Sequence, residues 1–265
     1  MSELRHTATV LPSALEALRA GAALHVDAGK WAGRVRAALD EDRLEVYAQP
    51  IVALTAGAGR SELLPRLIGR DGEVIPAEVF LPPAKTFGLI RAVDRRIAER
   101  AVRVAARGTI VHVNVSGETI ADGDLLDVLR HELTAASAAP ENVTIEIAVP
   151  EFACDAAAGA AFAAGLSRLG CGLSLQDFTP GAVSPAHLTQ LRVQSLKIDR
   201  DIVRGLPRDP SGQRLVQEVV ALARSIQSTT IAVGVEDEQT LTLLRECGVD
   251  YAQGVYIASP SPVEP

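Results

Sequence analysis

Asp177 and Lys197 stand where chemistry is easiest to build. Asp177 ends an apolar run of Leu173, Leu175 and Phe178, bounded by Gly172 and by Thr179-Pro180. Lys197 and Asp199 close a second run through Val193, Leu196 and Ile198. Short apolar runs between breakers suit buried parallel strands. Between them Ser184 is placed to cap, and Pro185 to start, a short helix reaching Leu191. In a strand–helix–strand unit the strand ends carry chemistry, because the loops after them converge on one face. A carboxylate and a lysine on adjacent strand ends are the parts of a metal-activated water and its partner. On this stretch alone the plainer reading, one buried ion pair plus surface charge, is the commoner outcome.

Other polar residues recur in comparable places. Glu62 opens ELLPRLIG, with Arg66 four residues on and on the same face. Asn114 lies in VHVNVSG, Glu146 in TIEIAV, Glu236 after IAVGV and Gln253 in YAQGVY. One such residue is a satisfied core group, whereas one from nearly every strand implies a shared polar cavity. Carboxylates with an amide oxygen are hard ligands suited to Mg²⁺ or Mn²⁺. Arg66 is a suitable phosphate fork. The five histidines, His6, His25, His112, His131 and His187, show no ligand spacing and read as structural. His112 points to the opposite face from Val111 and Val113.

These side chains need strands and helices in alternation, and the pattern supplies them from Leu44 onward. Strands are predicted at 44–52, 61–69, 109–116, 143–149, 173–178, 193–198, 229–235 and 251–257. Helices are predicted at 76–88, 91–107, 122–136, 152–169, 184–191, 214–226 and 238–247. About eight strands in this length fit a closed (β/α)8 barrel better than an open sheet. No Gly-rich phosphate fingerprint follows any strand. Trp31 to Asp42 has apolar residues at helical spacing, and Pro12-Ser13 followed by ALEALRA predicts a short helix ended by Gly21. Residues 1–43 are thus expected as an N-terminal helical extension, 44–260 as the barrel and 261–265 as a Pro-rich tail.

Composition bounds the rest. The 265 residues are 48% apolar, enough for one large core. The balance of 26 basic and 33 acidic residues, net −7, gives no expectation of nucleic-acid or membrane binding. Cys154, Cys171 and Cys247 are odd in number and far apart, neither a disulfide framework nor a zinc cluster, which fits a reducing cytoplasm. No apolar run reaches membrane-spanning length, and MSELRHTATV lacks a signal-peptide core.

From about Leu44 to Pro260 the motifs resemble, in order and spacing, those of EAL domains, the bacterial cyclic di-GMP phosphodiesterases. YAQPIV, with Gln49, resembles the family's YQPIV; ELLPRL resembles EALLR; VNVS resembles VNLS; IEI resembles the LEITE strand. QDF resembles DDF, KIDR is intact, VGVED resembles EGVET, and AQG is present. The resemblance implies a TIM-like barrel whose first strand is antiparallel to the others. It places Glu62, Asn114, Glu146 and Asp177 at metal-binding positions for Mg²⁺ or Mn²⁺. It places Lys197 at the lysine that orients or deprotonates the attacking water. Gln49, Arg66 and Gln253 fall at ligand positions, and Glu236 at a later glutamate.

The departures fall on the same motifs. Gln176 stands for the first aspartate of DDF and Val233 for the first glutamate of EGVE, both metal-site carboxylates in the family. Val149 replaces the second glutamate of LEITE, which fixes the loop after DDF. That loop reads Thr179-Pro180-Gly181 where Gly-Thr-Gly is the pattern, and proline stiffens it. Glu151, beyond Pro150, is an imperfect substitute for the lost glutamate. Three readings stay open. One is a degenerate module of cyclic di-GMP signalling, acting as a nucleotide receptor or through a protein partner or homodimer. Another is a slow phosphodiesterase that yields linear pGpG. The last is an interaction barrel without nucleotide.

Overall fold

The computed structural model describes residues 24–55 and 57–263, with side chains from residue 29. The short helix expected near ALEALRA lies outside the described residues. In chain order the elements are α1 (Leu24–Asp40), β1 (Leu44–Ala53), β2 (Arg60–Ile68), β3 (Val74–Pro76), α2 (Ala77–Thr86), α3 (Ile90–Ala105) and β4 (Val111–Asn114). Next come α4 (Gly117–Asp122), α5 (Leu125–Ala136), β5 (Val143–Ala148), α6 (Val149–Cys154), α7 (Ala156–Leu169) and β6 (Gly172–Phe178). Then follow α8 (Pro185–Leu191), β7 (Ser195–Ile198), α9 (Arg200–Gly205), α10 (Pro210–Ser225), β8 (Thr229–Val233), α11 (Glu238–Glu246), β9 (Tyr251–Gln253) and β10 (Ser261–Pro262).

The sheet runs β10-β1-β9-β8-β7-β6-β5-β4-β2-β3, and β1 also pairs with β2. That pairing closes β1, β9, β8, β7, β6, β5, β4 and β2 into a ring, a TIM-like barrel. β1 is antiparallel to β9, while β2 and β4 to β9 run parallel to one another. β3 and β10 are short antiparallel additions to β2 and β1.

Contacts divide the chain into two compact units. In the first, which includes Pro65–Ile97, α1 packs on α2, and the far half of β2 pairs with β3. Arg34 lies 4.3 Å above the Trp31 ring and ion-pairs with Glu73 at 3.0 Å. In the second, Tyr47–Leu64 with Ala98–Pro265, an apolar cluster of Ile51, Ile231 and Tyr251 takes in Ala53 and Val233.

Several boundaries differ from those predicted, each for a local reason. The helix expected over 152–169 breaks at Asp155, whose carboxylate accepts from Ala158 N at 2.9 Å and caps α7. The segment before α5 forms its own helix, capped by Ser116 and ended by Gly123 in the left-handed region. α9 starts on Asp199, which accepts from Asp201 N at 2.8 Å. The last ring strand stops at Gln253 rather than running to 257, because Ile257 and Ala258 both donate back to Gly254 O. Ser261 and Pro262, expected in the tail, pair with Ala48 and Tyr47. Ser184 caps α8 as expected, accepting from His187 N at 3.3 Å.

Candidate active site

Strand register brings the polar residues into neighbouring rows. Glu62 pairs with His112 across β2 and β4, and Asn114 with Glu146 across β4 and β5. Lys197 pairs with Ile231, and Val233 with Gln253, across β7, β8 and β9. Paired residues of parallel strands face the same side, so Glu62, His112, Asn114, Glu146, Lys197 and Gln253 project into the ring.

Lys197 is the centre of what forms there. Its buried ammonium donates to Glu62 Oε2 at 2.8 Å and to Glu146 Oε2 at 2.6 Å. The second Glu146 oxygen takes His112 Nδ1 at 2.8 Å. The second Glu62 oxygen accepts from Asn114 Nδ2 at 2.5 Å, and Glu62 Oε2 also accepts from Gln253 Nε2 at 2.7 Å. Gln253 Nε2 lies 3.0 Å from Gln49 Oε1, and Gln49 donates in turn to Ala258 O at 3.1 Å. Three buried atoms of this group, Asn114 Oδ1, Gln253 Oε1 and His112 Nε2, have no hydrogen-bond partner among the described residues.

Burial opposes both charges at the centre, and pairing overcomes it. Burial pushes the Glu146 carboxyl up, but the Lys197 charge and the His112 hydrogen bond outweigh it and hold it down at about 2. Burial likewise pulls the Lys197 amine down, and the two glutamates outweigh that, holding it above the ordinary lysine range. Lys197 is therefore a firmly protonated ammonium. In this arrangement it donates to both glutamates.

The other predicted residues each have their own local setting. Asp177 sits in a β6 irregularity between Leu175 and Phe178, exposed, with left-handed backbone (φ 54°). Its carboxyl is raised by lost hydration and by Asp199, with Lys197 opposing. Gln176 is half-buried and registers with Ala148. Val149 starts α6 and is buried, so no carboxylate stands there. Glu151 turns to Gly117, accepting from its backbone N at 2.8 Å at the start of α4. Glu236 does not join the cavity: it is exposed and taken by Arg204, whose Nε donates to it at 2.9 Å. Arg66 lies on the far half of β2, registers with Pro76 and donates to Pro65 O at 2.8 Å.

His112, read as structural, belongs to the cluster. The signal was its parity: opposite to Val111 and Val113 is the face of Asn114. Among the described residues no group of three or more His, Cys, Asp or Glu is arranged to hold a metal ion, and the Glu146 oxygens are hydrogen-bonded to Lys197 and His112.

Comparison with known proteins agrees with this arrangement of motifs. The family model for the EAL domain matches residues 32–260. The chain is 29% identical over 237 residues to the cyclic di-GMP phosphodiesterase NbdA of Pseudomonas aeruginosa, covering 86% of this chain and 30% of NbdA. It is 30% identical over 239 residues to the bifunctional diguanylate cyclase/cyclic di-GMP phosphodiesterase MucR of the same organism, covering 87% of this chain and 35% of MucR. The chain thus spans about a third of the length of these curated relatives. Among solved structures, the PaMucR phosphodiesterase in its c-di-GMP complex aligns with TM-score 0.82 at 28% identity, over 88% of this chain and 98% of that one. The FimX EAL domain from Pseudomonas aeruginosa bound to c-di-GMP aligns with TM-score 0.79 at 26% identity, over 86% and 95%.

Proposed function

The chain belongs to the EAL domain family, and on that premise we propose that it is a cyclic di-GMP receptor in which hydrolysis is impaired. The observation that carries this reading is the Lys197 ammonium seated between Glu62 and Glu146 at 2.8 and 2.6 Å. These are the two glutamates that the motif resemblance assigns to metal. A dication entering there must displace a charge already in place.

Two-metal phosphodiester hydrolysis needs ions about 4 Å apart, one to activate water and one to stabilise the leaving oxygen. Their mutual repulsion is offset only by several carboxylates. Gln176 and Val233 supply none at two positions of the motif set. Asp177 is exposed, in the irregular stretch of β6. The donors that remain, Glu62, Glu146 and the unpartnered Asn114 Oδ1, suit one Mg²⁺ or Mn²⁺. They do not suit a pair. Binding does not need that pair. Gln49 and Gln253 offer amides beside the cluster, and Arg66, by resemblance, a fork for a phosphate.

Titration calorimetry with cyclic di-GMP, with and without Mg²⁺, tests the reading, together with chromatography for linear pGpG. The expected outcome is binding in both conditions and no product. Sustained turnover would establish the slow-enzyme alternative, which the retention of Glu62, Asn114, Glu146 and Lys197 in one cluster favours. Absence of binding heat would overturn the receptor reading.

A further inference from the structure

A cleft of about 670 Å³ lies at the end of the ring away from Lys197 and its partners. Arg60 opens β2, Leu173 is the second residue of β6, Gln194 immediately precedes β7, and Gln227 comes just before β8. These strands run parallel, so all four residues mark their N-terminal ends. Asn114 and Gln253, in contrast, close β4 and β9. The volume is one that small organic ligands fill, roughly 300–1,000 Å³.

The charge of this cleft is one-sided. No Asp or Glu lines it, and its charged residues are Arg60 and Arg192. Neither guanidinium meets a carboxylate among the described residues. Arg60 is half-buried, 4.2 Å above the Tyr251 ring, and donates to the Tyr251 hydroxyl at 3.2 Å. Arg192 donates to Ser167 Oγ, also on the wall, at 3.3 Å. Arg192 ends α8 with left-handed backbone (φ 53°), and Gln227 follows α10 in the same region (φ 59°). Glycine fits such places with less strain, so both polar side chains are held there against a backbone preference. Leu166, Leu173 and Leu191 supply a buried apolar wall.

We propose that this cleft is a second binding site, for a small phosphomonoester held by Arg60 and Arg192 with its organic part against the leucines. A guanidinium presents a planar fork of donors that matches phosphate oxygens. Two guanidiniums without a counter-ion match a dianion, whereas a monocarboxylate offsets only one of them. The proposal stands apart from the receptor reading, because the cleft and the Lys197 cluster occupy opposite ends of the ring.

The test is an NMR titration of the ¹⁵N-labelled full chain with phenyl phosphate, and with benzoate as the monoanion of similar body. Phenyl phosphate should shift the side-chain N–H signals of Arg60 and Arg192 saturably, and benzoate should bind more weakly. Arg192→Gly should weaken phenyl phosphate roughly tenfold or more, the loss expected of one charge-assisted contact. Its thermal midpoint should not fall, since glycine is at ease with left-handed backbone. Arg192→Asn, which also tolerates that backbone, should lose binding in the same way. Arg192→Lys keeps the charge without the fork and should fall between wild type and Arg192→Gly. Unshifted Arg60 and Arg192 signals at the highest phenyl phosphate concentration would overturn the site. So would wild-type affinity in both Arg192→Gly and Arg192→Asn. Benzoate binding as tightly as phenyl phosphate would overturn the assignment to a phosphate.

Discussion

At the scale of single residues the molecule turns on one buried cation and two carboxylates. Lys197 and Glu146 are both removed from water, and each is kept charged by the other together with Glu62 and His112. Such groups are weak evidence for stability as a set, but removing one partner strands the rest. Lys197→Met should therefore cost about 3–5 kcal/mol in urea unfolding. Mg²⁺ or Mn²⁺ should then stabilise Lys197→Met more than wild type, because both glutamates lose their internal counter-ion. A lysine with no such role would give a loss below about 1 kcal/mol and no difference in metal response. The same cluster fixes an acid limit. Glu146 is held at about 2 against an ordinary 4.5, so its contribution is present above pH 4.5 and is lost as pH falls towards 2. Glu146→Gln should lack that part of the pH dependence when denaturation midpoints are followed from pH 6 to pH 2. Lys197, raised, works the other way: its contribution holds below its ordinary value of 10.5 and is lost only in stronger alkali. Much of this was legible beforehand. Motif order picked out Glu62, Asn114, Glu146, Lys197 and Gln253, which meet. It did not reveal that Lys197 would sit between Glu62 and Glu146, since that depends on distances across strands. Nor did it separate Glu236, which a helix the periodicity did not mark, α9, draws off through Arg204.

At the scale of elements, existence and order were readable and ends were not. Strand–helix alternation predicts eight ring strands, and eight close the ring. The misses are at capping residues. Asp155 and Asp199 each satisfy a helix N-terminus, and a stretch that reads as one amphipathic run is two. The end of β9 was missed because Tyr251 to Ile257 keeps a strand-like composition while Gly254 turns the chain. Glycines separate tight elements from loose ones. At Gly254 a Cβ would meet Val235 O at 2.0 Å and Val235 N at 2.3 Å, main-chain atoms that cannot step aside. Gly254→Ala should destabilise by roughly 1–3 kcal/mol, as overpacking does, and should disturb the loop that carries Tyr256. Gly33, inside α1, has nothing within 4 Å of its would-be Cβ. Gly33→Ala should stabilise by about 0.5–1 kcal/mol through helix propensity. Chemical denaturation of the two variants checks both signs, and a Gly254→Ala protein as stable as wild type would mean the close approach is relaxed in solution.

At the scale of the whole molecule, the residues of the cluster come from β2, β4, β5, β7 and β9, so the site exists only when the ring is closed. Whatever binds there reports on global stability by mass action. This makes stability a way to test the electrostatic argument without relying on turnover. Val233 is informative because it stands beside Gln253 in register and packs with Ile51, Ile231 and Tyr251. An apolar cluster therefore reaches up to the position where the family carries a glutamate. Val233→Glu alone should cost about 1–3 kcal/mol, because a carboxylate is placed against apolar neighbours without a partner. Gln176→Asp alone, half-buried on β6, should cost less. The double variant adds two charges to a set that holds Lys197 between two glutamates. Without metal it should be the least stable of the four proteins. With Mg²⁺ or Mn²⁺ it should recover more than the singles combined, since seating one dication depends on the charges that seat the other. Metal-dependent thermal unfolding of wild type, both singles and the double measures this coupling directly. Chromatography of cyclic di-GMP digests then asks whether pGpG appears with the metal. Product in the double and not in the singles would locate the impairment in the missing carboxylates. A double variant that binds metal and stays inactive would move it to Thr179-Pro180 and Val149. A double variant with no metal response would refute the electrostatic account, because the restored charges would then have made no site.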